Sequence, residues 1–270
     1  MNSEQVQDAA GALYGAARSG NFIPPLSETY TGISLDDAYA VQLVNTKRRI
    51  SEGRRVVGCK IGLTSHAVQK QLGVNQPDFG MLFDDMGYGD GELIPSTILT
   101  QPCIEAEIAF VLGKDLTIVN PGHLDVLNAI EYALPALEIV GSRIADWNIR
   151  IADTIADNAS ASAFVLGSSP KRPADFDMRM CGMVIEHRGE PASTGIGLAC
   201  LGNPLNAVVW LARRMAALGT PMKAGDLILS GALGPMVGVT PGNVYEARIN
   251  GLGAVRAVFD GPGQGSNDGR

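Results

Sequence analysis

The chain has 270 residues, 46% of them hydrophobic and 18% charged, so it can bury a sizeable core and is not a disordered chain. Its formal net charge of −7 argues against a nucleic-acid partner, because no basic patch stands out to neutralise phosphates. No apolar run approaches the roughly 18 residues that span a membrane. The scattered cysteines form no C-x-x-C pair and the N-terminal sequence is unlike a signal peptide. We therefore expect a cytoplasmic protein with reduced thiols.

Two helices are predicted near the N-terminus. Apolar residues at helical spacing predict the first from Ser3 to Arg18, and a loop rich in Pro, Ser and Thr follows over residues 21–32. The sequence S-L-D-D at Ser34 is typical of a capping box and predicts a second helix that runs towards Ile50. Residues 1–54 are therefore predicted to form an N-terminal helical region that packs on the rest of the chain.

Short apolar strands separated by glycines dominate the sequence from Arg55 onward. The strand candidates are Val56–Ile61, Ile104–Leu112, Leu134–Val140, Ala161–Leu166, Met183–His187, Leu227–Ser230, Val244–Ile249 and Ala254–Phe259. The helix candidates are His66–Leu72, His123–Glu131 and Pro204–Leu218. Many strands with few intervening helices predict one β-rich domain of the α+β class over residues 55–260. The Gly-rich polar stretch 261–270 is predicted to be a flexible tail.

An acidic pair stands out in the strand candidate Ile104–Phe110, which reads I-E-A-E-I-A-F. Side chains two residues apart share one face of a strand, so Glu105 and Glu107 project together while their apolar neighbours face the other way. A half-solvated strand with an acidic outer face would show the same alternation. The spacing therefore allows both a ligand pair and an ordinary surface strand.

Glu138 lies in the apolar stretch A-L-P-A-L-E-I-V and is expected to be buried. A lone buried carboxylate is costly unless it is protonated, bound to a metal, or paired with a cation such as Arg143. Three carboxylates at Glu105, Glu107 and Glu138 would repel one another without a cation, and an oxygen-only ligand set suits Mg²⁺ or Mn²⁺. The three histidines show no zinc-binding spacing. A hard cation is therefore the metal that these glutamates predict, if they bind one.

Further polar residues have two interpretations each. Lys60 lies among apolar neighbours, where its charged form is expected to be destabilised and available for acid–base chemistry, or it snorkels at a strand end. Asp78, in Q-P-D-F-G, is best explained as a turn residue. The small polar residues of Asp153–Ser160 either line a pocket or cap the chain. The Gly-rich loop that begins at Gly231 can bring backbone amides near an anion.

Six longer stretches match the pattern of one family. They are Val56–Met86, Ile104–Phe110, Ala133–Trp147, Asp153–Ser160, Leu201–Met215 and Gly225–Val237. On these stretches the chain resembles the 2-hydroxypenta-2,4-dienoate (2-keto-4-pentenoate) hydratases of the fumarylacetoacetate hydrolase superfamily. Two departures are visible: Ala161-Ser162-Ala163 replaces a Cys-Gly of many relatives, and Ala232 replaces the threonine that the superfamily's hydrolases usually have.

The resemblance implies a fold and a set of site residues. The fold is a mixed β-sandwich roll with an N-terminal helical region, in a homo-oligomer. The resemblance assigns Mg²⁺ or Mn²⁺ to the three glutamates at 105, 107 and 138, and it assigns catalysis to Lys60, Asp78 and Ser160. We also expect three residues to contact the substrate, namely Arg143, Asn158 and Gly231.

The activity implied by the resemblance is the hydration of 2-hydroxypenta-2,4-dienoate, through its 2-oxo-3-alkenoate tautomer, to 4-hydroxy-2-oxopentanoate in aromatic meta-cleavage catabolism. One alternative is 2-oxo-3-hexenedioate (4-oxalocrotonate) decarboxylase, for which Arg143 is a candidate cation at the distal end of the pocket. Another is a non-catalytic partner subunit that binds a small acid. A complex with a downstream aldolase or a paralogous decarboxylase is a further expectation, and a small 2-oxo or 2-hydroxydienoic acid is the expected ligand.

Overall fold

The structure is a computed structural model that describes residues 1–72 and 74–261. All but the first residue of the predicted tail 261–270 lies outside the described residues. The helices are α1 (Ser3–Ser19), α2 (Leu26–Thr29), α3 (Leu35–Ser51), α4 (His66–Leu72), α5 (His123–Ala129), α6 (Ile151–Ala156) and α7 (Pro204–Ala217). The strands are β1 (Val56–Gly62), β2 (Asp78–Phe83), β3 (Gly87–Gly89), β4 (Leu93–Ile94), β5 (Cys103–Leu112), β6 (Ile130–Val140), β7 (Ala161–Leu166), β8 (Gly182–His187), β9 (Glu190–Ile196), β10 (Leu227–Leu229), β11 (Val237–Gly238), β12 (Val244–Ile249) and β13 (Gly253–Phe259).

The N-terminal helices begin where the sequence predicts. The Asn2 side chain accepts from the Gln5 amide at the start of α1, and Ser34 forms the predicted capping box at the start of α3. Their apolar faces share a core with α6, in which Leu13 and Val41 pack with Ile155. The predicted loop over residues 21–32 contains the single turn α2. The helical region is thus confirmed, and its core includes residues from far along the chain.

The strands form two sheets. The larger sheet has the order β2-β1-β10-β5-β6-β7-β3, with β11 pairing to β5, and the smaller has the order β4-β13-β12-β8-β9. The pairs β1–β10, β3–β7 and β4–β13 are parallel and the others antiparallel. One face of the larger sheet shares its buried core with the smaller sheet and α7, as seen in the cluster that contains Ile108, Leu211 and Tyr245. This arrangement confirms the predicted β-rich α+β fold.

The structure corrects two predictions for the strands around the site. Strand β6 begins at Ile130, four residues before the predicted Leu134, because α5 ends at Ala129 and Ile130 already has extended dihedrals (φ −70°, ψ 125°). The predicted turn at Asp78 is wrong, since this residue is the first of strand β2 and is buried. The turn-like Pro77 lies just before the strand, a position where its missing N–H costs no ladder hydrogen bond.

Helices of the described ranges give no candidate for a membrane span, because none combines the required length with sufficient apolar content.

Candidate active site

Strand register gathers the predicted acidic residues on one face of the larger sheet. Glu105 on β5 lies directly opposite Glu138 on β6, and Glu107 shares the face of Glu105 because it is two residues along the strand. Lys60 on β1 is paired with Leu229, which in turn is paired with Ala109. Since cross-strand partners point to the same side of a sheet, the lysine projects on the face of the glutamates.

The three glutamates form a compact cluster of oxygen ligands. One carboxylate oxygen from each lies within 4.8 Å of the other two. Glu107 and Glu138 are fully buried and Glu105 is half-buried, so the interpretation as an ordinary solvated strand face is wrong. Oε1 of Glu107 and Oε2 of Glu138 have no hydrogen-bond partner within residues 1–72 and 74–261. Buried carboxylates with unused lone pairs fit a hard divalent cation.

Lys60 is the cation that the structure itself places at the cluster. Its Nζ lies 3.1 Å from Oε1 of Glu138 and donates to the carbonyl of Ala159 at 3.0 Å. With 3% of the residue exposed it does not snorkel. Of the cations that could pair with Glu138, the structure places Lys60 beside it, whereas Arg143 is bound to Asp157.

The ionisation of Lys60 also differs from the prediction. Burial lowers the pKa of Lys60, but the charges of Glu138, Asp78 and the other two glutamates outweigh burial and leave the pKa raised. The sequence predicted a destabilised charged form because it shows the apolar neighbours along the strand and not the carboxylates across it. Lys60 therefore carries a proton at neutral pH.

Three carboxyl groups of the site, those of Glu105, Glu107 and Asp78, have a raised pKa and hold their protons more tightly than usual. Burial, together with the charge of Glu138, raises the pKa of Glu105 to about 7. The same two causes, with the charge of Glu105 added, raise the pKa of Glu107 well above its usual range. Burial also raises the pKa of Asp78, although Lys60 opposes it. A divalent cation would replace these protons, because its charge offsets both burial and mutual repulsion.

Asp78 enters the same face from the edge strand β2. It is paired with Gly62, and a side chain at Gly62 would overlap Oδ1 of Asp78 and come within 3.4 Å of Lys60 Nζ. The absence of a side chain at Gly62 therefore leaves the space that Asp78 occupies. The Thr154 hydroxyl donates to Oδ2 of Asp78 at 3.4 Å and lies 3.3 Å from Oγ of Ser160. The three predicted catalytic residues are thus brought together, with Thr154, which the sequence had not singled out, between two of them.

The segment Asn158–Ser160 is a strained turn that faces Lys60. All three residues have left-handed dihedrals (φ 54°, 50° and 57°), which non-glycine residues rarely adopt. The Asn158 amide holds the turn on β2, because its Oδ1 accepts from the Met81 N–H at 2.7 Å and its Nδ2 donates to the Met81 carbonyl at 2.9 Å. The Asn158 side chain, which was predicted to bind substrate, is therefore hydrogen-bonded to the backbone of β2.

Arg143 also stabilises this turn, through hydrogen bonds to the residues on either side of it. Its backbone N–H donates to Oδ2 of Asp157 at 2.9 Å, and its Nε donates to Oδ1 at 2.5 Å. The remaining guanidinium nitrogens donate to the carbonyls of Asp157 and Ala161 and to the Ser162 hydroxyl. These partners all belong to residues 157–162, so the contacts of Arg143 in the described structure do not join it to the glutamates. Its predicted contact with substrate stays a prediction.

Gly231 contacts the cluster through its backbone. Its N–H donates to Oε2 of Glu107 at 2.7 Å, which fulfils the expectation that this loop brings an amide to an anion, although the anion is a side chain of the protein. Its φ of 105° and the nearby Thr64 leave no room for a side chain. The glycine therefore fixes one oxygen of Glu107 and leaves the other free.

Three carboxylates suited to a divalent cation lie beside a buried lysine and aspartate on a two-sheet β-rich fold, and this arrangement is typical of a metal-dependent enzyme. Residues 55–260 match the family described as fumarylacetoacetate (FAA) hydrolase, C-terminal. The chain belongs to this family.

Curated relatives and a solved structure resemble nearly the whole chain. The 2-keto-4-pentenoate hydratase of Paraburkholderia xenovorans (strain LB400) is 61% identical over 96% of this chain and 97% of its own length. The TodF product hydratase of Pseudomonas putida (strain F1) is 59% identical over 94% of this chain and 95% of its own. The structure of 4-oxalocrotonate decarboxylase from Pseudomonas putida G7, complexed with magnesium and adipate, is 34% identical with a TM-score of 0.91, over 96% of this chain and 98% of that one.

Proposed function

We propose that this protein is a metal-dependent hydro-lyase that adds water to 2-hydroxypenta-2,4-dienoate and yields 4-hydroxy-2-oxopentanoate. The observation that carries the proposal is the single sheet face on which three glutamates meet Lys60. The substrate class rests on the relatives named 2-keto-4-pentenoate hydratase. The cellular role that we propose is aromatic meta-cleavage catabolism in the cytoplasm.

Glu105, Glu107 and Glu138 are the residues that would hold the cation, for which we propose Mg²⁺ or Mn²⁺. Within the described residues, buried oxygens of Glu107 and Glu138 accept no hydrogen bond, and this supports the assignment because both ions prefer oxygen ligands. A divalent ion bound there supplies Lewis-acid stabilisation for negative charge that develops on the C2 oxygen of a 2-oxo acid.

Lys60 and Asp78 are the groups that we assign to proton transfer. The first stage takes the proton from the C2 hydroxyl and adds one at C5, which gives the 2-oxo-3-alkenoate. Lys60 is the acid, because the surrounding carboxylates keep it protonated despite its burial. Asp78 is the base, because burial raises the pKa of its carboxyl group and so strengthens it as a proton acceptor. In the second stage the same two residues act again as water adds its hydroxyl at C4: one accepts the proton of water and the other supplies the proton at C3.

The second candidate function is 2-oxo-3-hexenedioate decarboxylase, and the 34% identical decarboxylase structure favours it. A decarboxylase must accommodate a second carboxylate, which needs a cation or donors at the far end of its pocket. Arg143 is the named candidate among the basic residues that the sequence offers for this role, but its guanidinium is bound to Asp157. The hydratase is therefore the better supported of the two.

A non-catalytic subunit that binds a small acid is the remaining alternative. Such a subunit has no need of a complete ligand set, whereas this chain has all three glutamates in one cluster.

We propose in addition that the protein forms a homo-oligomer, and that it forms a complex with a downstream aldolase or a paralogous decarboxylase. Sedimentation velocity of the purified protein tests the first of these, and co-purification with each enzyme tests the second.

The function is tested by incubating the purified enzyme with the monoacid dienoate and with 2-oxo-3-hexenedioate, each with and without EDTA. We expect turnover of the monoacid that EDTA abolishes and that Mg²⁺ or Mn²⁺ restores. Release of carbon dioxide from the diacid without turnover of the monoacid would contradict the proposal. Binding without turnover of either acid would point to the non-catalytic subunit.

A further inference from the structure

Within the described part of the chain, the carboxylate of Asp78 accepts a side-chain hydrogen bond on one of its two oxygens. Oδ2 accepts from the Thr154 hydroxyl, whereas Oδ1 has no hydrogen-bond partner within the described ranges and lies against Gly62 near Lys60. Both Asp78 and Thr154 are buried, at 1% and 8% exposure. The contact with Thr154 therefore fixes the direction of the free oxygen.

The number of available hydroxyl protons fixes which group donates in the two hydrogen bonds that link Ser160, Thr154 and Asp78. An ionised Asp78 can only accept, so Thr154 gives its one hydroxyl proton to Oδ2. The Thr154 oxygen then accepts from the Ser160 hydroxyl, 3.3 Å away. Ser160 is thus connected to Asp78 by two hydrogen bonds, with Thr154 in the middle.

Gln42 bridges β2 and α6, the two elements on which Asp78 and Thr154 lie. It lies on α3, is 4% exposed, and its Nε2 donates to the carbonyls of Phe79 at 2.9 Å and Ile155 at 3.0 Å. Phe79 follows Asp78 on β2, and Ile155 follows Thr154 on α6. A single amide from the N-terminal helical region, outside the family match at residues 55–260, therefore sets the spacing of β2 and α6 next to the site.

We propose that Thr154 and Gln42 are positioning residues that hold the free oxygen of Asp78 on the Lys60 side of the site, where it accepts a proton from the substrate. The inference rests on the proposed roles of Lys60 and Asp78. Proton transfer requires heavy atoms about 2.6–3.2 Å apart, and a displacement of about 1 Å can lower a rate roughly 100-fold. Neither residue bonds to the glutamates, so metal binding should not depend on them.

The first test compares Thr154→Val, which keeps the shape and removes the hydroxyl, with Thr154→Ser, which keeps the hydroxyl. We expect T154V to lower kcat by about 10- to 100-fold with KM and Mn²⁺ affinity unchanged, and T154S to restore most of the rate. The same ratio is expected for deuterium incorporation at C3 of 2-oxopentanoate in D₂O, measured by NMR. Wild-type rates in T154V, or a rise in KM at constant kcat, would overturn the proposal.

The second test compares Gln42→Leu with Thr46→Val, which serves as a matched control. Thr46 is also buried on α3, and its hydroxyl donates within that helix to the Gln42 carbonyl. We expect Q42L to lower kcat and C3 exchange at unchanged Mn²⁺ affinity, and T46V to leave both rates at the wild-type level. Equal losses in both variants would overturn the role of Gln42. If T154V does not fold, this pair decides the proposal.

Failure of the proposed function gives a different result from failure of this inference. Wild-type enzyme that incorporates deuterium at C3 but does not hydrate the dienoate would contradict the proposed hydratase activity. The exchange rates of the variants relative to wild type would still test the positioning roles of Thr154 and Gln42. A wild-type enzyme that neither hydrates nor exchanges would overturn both.

Discussion

Replacement of Glu107 by Gln tests the metal site without disturbing the fold. Glu107 is fully buried, and its Oε2 accepts from the Gly231 N–H. Glutamine has nearly the same shape and keeps an oxygen for that donor, so the local packing is retained. The substitution removes one charge from the cluster and one anionic ligand from the proposed site.

The magnitude for the metal-free protein follows from the spacing of the carboxylates. Two unit charges 4.8 Å apart, the upper limit within this cluster, repel by about 3 kcal/mol at an effective dielectric constant near 20. The folded-state pKa of Glu107 is raised above its usual 4.5, so the folded protein loses stability as the pH rises from that value through the folded-state pKa. We expect metal-free E107Q to be about 1–3 kcal/mol more stable than metal-free wild type at pH 8. The difference should vanish near pH 4.

The metal should change the stability of the two proteins differently. A cation at 100 times its dissociation constant stabilises the protein that binds it by about 2.7 kcal/mol. For a chain of this size that is a rise in Tm of roughly 5–10 °C. E107Q, which lacks one ligand charge, should show almost none of this rise.

Thermal unfolding of EDTA-treated protein, with and without Mg²⁺ or Mn²⁺, measures both effects. Glu131→Gln is the matched control, because Glu131 lies on β6 with Glu138 but is exposed. We expect E131Q to follow the wild type in both conditions. A metal-dependent rise in E107Q equal to that of wild type, or a metal-free E107Q less stable than wild type, would refute the reasoning.

Three further predictions concern the residues around the glutamates. Lys60→Met should lower the hydration rate by about 10²- to 10⁴-fold in steady-state kinetics, as expected for loss of a general acid; a rate near wild type would contradict that role. Gly62→Ala should lower kcat because the added Cβ overlaps Asp78, whereas the control Gly11→Ala, which meets open space on α1, should keep the wild-type rate. Arg143→Met should lower the free energy of unfolding in urea by about 3 kcal/mol, since it removes one partner of a buried ion pair and leaves Asp157 uncompensated; an unchanged midpoint and slope would show that the brace contributes little.

Local features of the sequence were sufficient for part of the site. The two-residue period of a strand put Glu105 and Glu107 on one face, and the apolar neighbours of Glu138 indicated its burial. Both inferences need only the few residues on either side, which is why they are confirmed. The capping box at Ser34 was equally local and marked the start of α3.

The remaining features depend on contacts between distant parts of the chain. Asp78 resembles a turn residue within its pentapeptide, and only pairing with β1 makes it part of the site. A destabilised charged form was one of two interpretations of Lys60, because the sequence shows its apolar neighbours but not the carboxylates on β5 and β6. Gln42 acts on residues 37 and 113 positions away, and a buried glutamine on an amphipathic helix gives no local signal of that kind.

Family resemblance pointed to residues whose contacts the structure then showed. Asn158 and Arg143 were both expected to contact substrate, and in the structure the Asn158 amide binds Met81 while the Arg143 guanidinium binds Asp157. A motif shows that a side chain belongs near a site but does not specify the atoms that it contacts. Those contacts depend on the three successive left-handed residues of the turn, which propensity does not predict.

The most direct test of the metal site is anomalous diffraction at the manganese absorption edge from crystals of the enzyme soaked in Mn²⁺. We predict one strong anomalous peak within coordination distance of Glu105, Glu107 and Glu138, and its absence in crystals of E107Q. A strong peak elsewhere in the protein, or none in the wild-type crystals, would contradict the assignment of the cation to these glutamates.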